Sequence, residues 1–343
     1  MPGRIYNELT ELIGNTPLLA LHRIQARRHV DARLLAKIEY LSPAGSIKDR
    51  AAWGIIREGE RSGRLKPGDL MVDVTSGNTG IGLAAVAASR GYRTKFYLRN
   101  IISQEKLAIL AYYGAEVVLV DSAEFTGEGA LDRVLARIRA ENPGAFFTDQ
   151  RGNAANPNMH EETTGPEIWR DTDGAVDVLV ACVGTGGTNS GTGRYLKSQK
   201  PGVRVIVAEP TLDAMPTADD PYAENIEGVH KVSEIEPSDL PSNYDGGVVD
   251  EVIAVNVAQA KAGALALARE EGILAGTSGG AVLHAALVLA RRPEYAGKTI
   301  VTIVPDSGER YLSPPTRAGL PAEAPVAVAD QEKPRWSRSV VPA

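Results

Sequence analysis

Residues 42–50 read Ser42-Pro43-Ala44-Gly45-Ser46-Ile47-Lys48-Asp49-Arg50, joining the apolar run Leu34 to Ile38 to Ala51-Ala52-Trp53-Gly54-Ile55-Ile56. The first flank has the character of a strand and the second that of a helix. Pro43 and Gly45 punctuate the turn, and Ser46 is placed to cap the helix. Lys48 then falls in the first helical turn, where backbone N–H groups and the helix dipole disfavour an ammonium ion. An amine held there, beside a glycine turn that a ligand can approach, suits a lysine that becomes neutral and attacks a carbonyl. A solvated surface lysine is the competing explanation.

Working outward, short β-rich runs alternate with longer helical patterns. Strands are expected at Leu34–Glu39, Leu70–Thr75, Thr94–Leu98, Glu116–Val120, Val176–Val183, Arg204–Ala208, Glu251–Val255 and Thr299–Val304. Amphipathic helices are expected between them, among them Ile81–Arg90, Gln104–Tyr113, Leu131–Glu141, Ala258–Glu271 and Ala281–Ala290. Near-continuous apolar strands alternating with helices predict an α/β fold of parallel sheets covered on both faces. From about Pro314 onward the chain is rich in Pro, Ala and charge, lacks periodicity, and is expected to be disordered.

The 343 residues suffice for two lobes with a sizeable core. A net charge of −6 without a basic stripe argues against nucleic acid as a partner. No apolar run approaches a membrane span, and the N-terminal MPGRIYNELTE does not read as a signal peptide, so a cytoplasmic protein is expected. Cys182 is the only cysteine, which leaves no internal disulfide and no thiolate metal cluster.

Three glycine-rich turns are expected at the carboxyl ends of strands, where open α/β sheets bind ligands. Thr75-Ser76-Gly77-Asn78-Thr79-Gly80 offers hydroxyls, an amide and helix-end N–H groups to a carboxylate. Gly184-Thr185-Gly186-Gly187-Thr188 opens a helix and fits a phosphate monoester, and Gly276-Thr277-Ser278-Gly279-Gly280 leads into another helix. The second turn lacks the lysine of a P-loop, and no G-x-G-x-x-G with a following acidic residue marks a dinucleotide. Tight strand–helix packing would explain any one such turn by itself. A phosphate pocket, a carboxylate pocket and a reactive lysine together point to pyridoxal phosphate.

The chain resembles the cysteine synthase and cystathionine β-synthase family of fold-type II pyridoxal-phosphate enzymes, which share a tryptophan synthase β-like fold. The resemblance is carried by Ile13–Leu18 (IGNTPL), PAGSIKDR, TSGNTGIGLA, Asn153–Trp169, GTGGTNSG, Glu271–Ala281 (EGILAGTSGGA) and Pro305–Ser313 (PDSGERYLS), and it covers about residues 5–315. It implies one catalytic unit of two open, mostly parallel lobes. A small movable lobe would span about 49–152, the large lobe about 5–48 and 153–315, and residues 316–343 would form a tail.

The resemblance further implies that Lys48 carries the cofactor as a Schiff base and later removes the Cα proton. Asn78 would bond the cofactor's phenolic oxygen, and Gly184, Thr185, Gly186, Gly187 and Thr188 would hold its phosphate. Ser278 would face the pyridine nitrogen. Thr75, Ser76, Thr79 and Gln150 would take the substrate α-carboxylate. The implied reaction is β-replacement: a leaving group departs Cβ of O-acetylserine or O-phosphoserine, an aminoacrylate forms, and sulfide or another nucleophile adds. Homodimers are usual in the family.

Three departures bear on substrate. Arg151 stands where cysteine synthases place an aromatic residue. Val229-His230-Lys231-Val232 replaces a glycine-rich stretch after Glu227-Gly228. Leu98-Arg99-Asn100-Ile101-Ile102 replaces a Pro-Glu pair. Arg151 and Lys231 are candidates to pair with an anionic group of phosphoserine or of an acidic nucleophile, against the alternative that both are solvated or ion-paired on their lobe. Cys182 reads as core packing, His160 as structural rather than metal-binding, and His22, His29 and His284 as isolated; His230 is assigned to the neighbourhood of the nucleophile.

The sequence shows no haem-binding extension and no regulatory tandem domain, which makes a regulated cystathionine synthase the lesser expectation. A specialised synthase joining phosphoserine to an amine such as glutamate is the stronger alternative to cysteine synthesis. A binding or regulatory protein that keeps the fold without turnover is disfavoured by the intact Lys48, Asn78, phosphate loop and Ser278.

Overall fold

The computed structural model describes residues 5–127 and 129–313. The expected tail lies outside the described residues. The strands are β1 (Leu18–Ala20), β2 (Arg33–Ile38), β3 (Leu70–Thr75), β4 (Arg93–Arg99), β5 (Glu116–Val120), β6 (Phe146–Phe147), β7 (Val176–Cys182), β8 (Arg204–Pro210), β9 (Glu251–Val255) and β10 (Thr299–Val304). They form two sheets. One has six strands in the order β1-β2-β10-β7-β8-β9, the other four in the order β5-β4-β3-β6. All pairs are parallel except β1 against β2. The central strand β10, TIVTIV, is buried at every residue, as a parallel strand covered on both faces must be.

The helices are α1 (His22–Arg28), α2 (Lys48–Arg61), α3 (Asn78–Arg90), α4 (Gln104–Tyr112), α5 (Ala130–Glu141), α6 (Ala155–Met159), α7 (Gly165–Asp171), α8 (Gly187–Gln199), α9 (Val257–Glu271) and α10 (Thr277–Ala290). A π-helical turn at His160–Thr164 joins α6 to α7. Helix α9 opens with a capping box between Asn256 and Gln259, then crosses α10 backbone to backbone. A Cβ on Gly280 would lie 1.9 Å from the Ala260 carbonyl oxygen, so only glycine allows that crossing.

Every expected strand is present, within two residues at each end. β1 and β6 were not foreseen, because three and two residues are too few to show a period. Two further expectations are corrected. The residue preceding α2 is Ile47, while the Ser46 hydroxyl accepts from the Lys48 N–H at 3.2 Å, so the capping oxygen is the expected one but the boundary falls one residue later. Gly276–Gly280 does not follow a strand in sequence. It joins α9 to α10 and reaches the end of β10 in space, where Ala275 bridges to Ser307 and the Gly276 N–H donates to the Asp306 carbonyl.

Helix α2 is anchored by a buried ionic cluster. Arg50, two residues beyond Lys48, donates to Glu39 (2.8 Å) and twice to Glu167 (2.7 Å each), and Lys37 Nζ donates to Glu167 (2.7 Å). Two cations face two carboxylates, all nearly inaccessible to solvent. Glu39 follows β2 and Glu167 lies on α7, so this cluster locks the helix that starts at Lys48 to the six-stranded sheet.

Candidate active site

The cleft lies where the carboxyl ends of both sheets face each other. It is lined by Lys48 from the start of α2, Ser76 and Asn78 from the turn after β3, Gly184–Gly186 and Thr188 from the turn after β7, and Ser278 from the start of α10. These all come from the motifs singled out in sequence. Lys48 Nζ has no hydrogen-bond partner among the described residues, and it lies 3.7 Å from where a Cβ on Gly184 would be. Burial lowers its pKa from the ordinary lysine value, against the opposing charge of Asp306.

The turn after β7 is a cradle that side chains cannot enter. A Cβ on Gly184 would sit 2.7 Å from the Gly228 carbonyl oxygen, one on Gly186 2.6 Å from Tyr244 Cα, and one on Gly187 2.1 Å from Asn156 Oδ1. Gly186 has φ +84°, the left-handed region open to glycine. The first N–H groups of α8, at the edge of this cradle, have no intrahelical acceptor. Behind it, Asn156 Nδ2 donates to Thr185 Oγ1 (2.7 Å), and Thr188 Oγ1 lies 3.3 Å from His160 Nε2. His160 also meets Thr164 at 2.9 Å, and burial first, then the charges of Arg50 and Lys48, keep its ring neutral. Through Thr188 it braces the glycine-rich turn from within the π-helical turn.

On the opposite wall, Thr79 Oγ1 donates to Gln150 Oε1, and Gln150 Nε2 donates to the Val74 carbonyl (2.9 Å). Thr75 Oγ1 accepts from the Gly77 and Gly80 N–H groups, so it shapes the turn. Ser76 is exposed to the cleft and faces Gly228. Cys182 lines the same cleft as Lys48, and burial pushes its thiol up to about 12.

The segment after β10 contributes residues to which sequence reading gave no role. Asn78 Nδ2 donates to Asp306 Oδ2 (2.6 Å), while Asn78 Oδ1 accepts from Arg310 Nη1 (2.6 Å). Both ends of the amide are thereby fixed. Tyr311 donates to the same Asp306 oxygen, and its ring lies 4.2 Å below Lys106 Nζ, which pairs with Glu227 across the cleft. PDSGERYLS was quoted for its resemblance, and its charged residues beside a strand end were the available signal.

Of the two cations proposed for an anionic group, the structure corrects Lys231. It is 4% exposed and pairs with Glu209 at 2.6 Å and Glu234 at 3.2 Å, because Glu209 is a buried carboxylate that needs a cation. Among the described residues Arg151 has no ion pair; it reaches His230 Nε2 and the Asp239 carbonyl. Among the described residues no group of three or more His, Cys, Asp or Glu side chains gathers to hold a metal, and no helix is long and apolar enough to cross a membrane.

Residues 9–306 match the family model described as pyridoxal-phosphate dependent enzyme. The chain belongs to the pyridoxal-phosphate dependent enzyme family. It is similar to a cysteine synthase of Staphylococcus aureus, 40% identical over 316 residues that cover 92% of this chain and 98% of the relative. Among solved structures it is similar to O-ureido-L-serine synthase (36% identity, TM-score 0.79, 90% of this chain and 94% of the other). It is also similar to the cysteine synthase of Entamoeba histolytica (38%, TM-score 0.79, 91% of each chain). The fold is that of the fold-type II members, and the protein is a cysteine synthase-like, pyridoxal-phosphate dependent β-replacement enzyme that acts on small amino-acid substrates.

The residues present fit the cofactor. The glycine cradle at the start of α8 suits a phosphate, a buried amine without a hydrogen-bond partner suits a carbonyl carbon, and an amide fixed at both ends suits a ring oxygen between them.

Proposed function

We propose that the enzyme exchanges a leaving group on Cβ of an O-activated L-serine for a nucleophile, with Lys48 as both the cofactor's attachment point and the base. The observation that carries this reading is the Lys48 amine, without a hydrogen-bond partner among the described residues, lining one cleft with the cradle of α8 and the fixed Asn78 amide. When bound, pyridoxal phosphate supplies the electron sink that acidifies the Cα–H of an amino acid.

The chain's residues then have separate tasks. N–H groups of Gly184–Thr188 and the Thr185 and Thr188 hydroxyls hold the phosphate. Asn78 bonds the ring's phenolic oxygen with the amide hydrogen that Asp306 leaves over. Ser278 offers the ring nitrogen a neutral hydroxyl, which keeps it from full protonation. Ser76, Thr79 and Gln150, on a turn shaped by Thr75, orient the substrate carboxylate. Burial lowers the Lys48 pKa, which favours the neutral amine that takes the Cα proton and later returns it. Closure of the lobe at about 49–152, through the Lys106–Glu227 pair, would exclude water. A cytoplasmic homodimer belongs to the same reading.

Borohydride treatment of the holoenzyme followed by peptide mapping tests the attachment: the cofactor's mass should appear on the peptide holding Lys48 and be absent in Lys48→Ala. Mass on another lysine would overturn the assignment. Product analysis with sulfide and O-acetyl-L-serine tests the reaction, with cysteine the expected product. The similarity to O-ureido-L-serine synthase favours a second reading, a specialised nucleophile in place of sulfide, which the same product analysis separates.

A further inference from the structure

Three turns of the pocket converge on Asp306. On one side it pairs with Ser46, two residues before Lys48, in an isolated antiparallel bridge, and the Ile47 N–H donates to the neighbouring Pro305 carbonyl (2.8 Å). On the other, the Asp306 carbonyl accepts from the Gly276 N–H (3.3 Å), two residues before Ser278. Its backbone is thereby fixed to the turns that carry Lys48 and Ser278. The side chain reaches the third turn, where Oδ2 accepts from Asn78 Nδ2 (2.6 Å) and from the Tyr311 hydroxyl. Oδ1 is buried and takes no hydrogen bond among the described residues, and a Cβ on Gly276 would come within 2.3 Å of it. Asp306 is 1% exposed and lines the cleft together with Lys48, Asn78 and Ser278.

A carboxylate with one oxygen unmet in so buried a place is costly unless a positive charge offsets it. Among the described residues no cation bonds to it. Arg310 donates to Asn78 Oδ1 and to the Ala44 carbonyl instead, and Lys106, above the Tyr311 ring, is taken by Glu227. The other lysine lining the cleft is Lys48. We propose that Asp306 is the fixed counter-charge of the Lys48 nitrogen, holding a proton there while the cofactor is attached and again after Lys48 has taken the Cα proton. This rests on the β-replacement reading above and adds a positioning residue to it. Titration agrees with the geometry: burial lowers the Lys48 pKa, and the charge of Asp306 is the foremost influence against it. Cys182 also opposes burial, but its thiol, pushed up to about 12, is uncharged near neutral pH. His160 and His230, the other titratable groups that the Lys48 charge reaches, are kept neutral by burial. One anion therefore acts on one nitrogen, away from water. A nitrogen that keeps its proton leaves the attached carbon more open to an incoming amine. A free Lys48 whose ammonium form Asp306 stabilises is a stronger base toward the Cα–H than burial alone would leave it. The proton moves from Cα to Nζ and back, so no co-reactant is consumed.

The test is a pH titration of the holoenzyme's visible absorbance, which reports the proton on the cofactor-bound nitrogen. Asp306→Asn keeps the shape and removes the charge, and its midpoint should lie about one unit or more below that of the wild type, the scale of one opposite charge nearby. Asp306→Glu should return part of the shift. Tyr311→Phe removes a hydrogen bond from Asp306 but no charge, and it should not lower the midpoint. Where the wild type keeps its band up to the pH at which it unfolds, a midpoint below that pH in Asp306→Asn is the expected result. An unchanged or raised midpoint in Asp306→Asn would overturn the proposal, and the lack of a midpoint in both proteins counts as unchanged. An equal fall in Tyr311→Phe would also overturn it, since the shift would then follow the disturbed Asn78 clamp and not the charge. If Asp306→Asn yields no folded protein, Asp306→Ser, smaller beside Gly276, is judged by the same midpoint. The two layers separate. A holoenzyme with the cofactor's mass on Lys48 and an unchanged midpoint in the variant refutes the role of Asp306 alone; a lowered midpoint in a protein that forms no β-substituted alanine from any donor keeps that role and refutes the reaction.

Discussion

Glu167→Gln probes how Lys48 is held in place without touching the chemistry. Glu167 takes two hydrogen bonds from Arg50 and one from Lys37, each 2.7 Å, inside a cluster whose charges cancel only while it is ionised. Glutamine keeps the shape and removes the charge, leaving Arg50 against Glu39 and Lys37 with only the longer pair to Asp171 at 3.8 Å. Breaking a buried pair from one side costs about 3–5 kcal/mol, because the remaining charge is uncompensated. The same figure can be approached from titration. Burial alone would raise the Glu167 carboxyl, but the bonds and charge of Arg50, with the charge of Lys37, bring it down to about 2 from an ordinary 4.5. At 1.36 kcal/mol per unit that difference contributes about 3 kcal/mol to folding. Because the folded pKa is the lower one, this stability is complete above about pH 4.5 and fades as pH falls through about 2. The variant has nothing to lose over that range. Urea unfolding of both proteins at pH 7 should show a gap of about 3–5 kcal/mol, and by about pH 3 roughly 2 kcal/mol of it should be gone. A gap below about 1 kcal/mol at pH 7, or one that does not narrow with acid, would refute the charge accounting.

Two further substitutions test the cofactor pocket. Gly187→Ala places a methyl 2.1 Å from Asn156 Oδ1 and forces aside the amide that fixes Thr185 and the Gln150 carbonyl, an overpacking cost of about 1–3 kcal/mol. The variant should lose cofactor on gel filtration, read as the ratio of visible to protein absorbance, and full retention would show that Asn156 yields without disturbing the loop. Arg310→Met removes the donors to Asn78 Oδ1 and to the Ala44 carbonyl, leaving buried acceptors unmet at about 1–3 kcal/mol each. The bound cofactor's visible band should shift and the urea midpoint fall; a wild-type band and midpoint together would remove Arg310 from the site.

What the sequence made legible follows from what local rules encode. All strands but the short β1 and β6 were visible because burial on both faces leaves unbroken apolar runs such as TIVTIV, and the turns because only glycine tolerates the approaches at Gly184, Gly186 and Gly187. Lys48 stood out because its neighbours fix a turn and a helix start within nine residues. The clamp on Asn78 was illegible, since Asn78 and Arg310 are 232 residues apart and no local pattern distinguishes an arginine that bonds a side-chain amide from one in solvent. Lys231 and Arg151 make the same point as a contrast. Both were cations at positions where the family pattern breaks, with equal claim on an anion. Their difference lies in a partner neither sequence segment contains: the buried Glu209 near the end of β8 takes Lys231, while among the described residues Arg151 reaches His230 Nε2 and the Asp239 carbonyl and no carboxylate. A buried carboxylate consumes a cation as structure, whereas the half-buried Arg151 is held only by a ring nitrogen and a carbonyl. Which cation is consumed is therefore decided by partners from other segments, and that distinction exists only once the chain has folded.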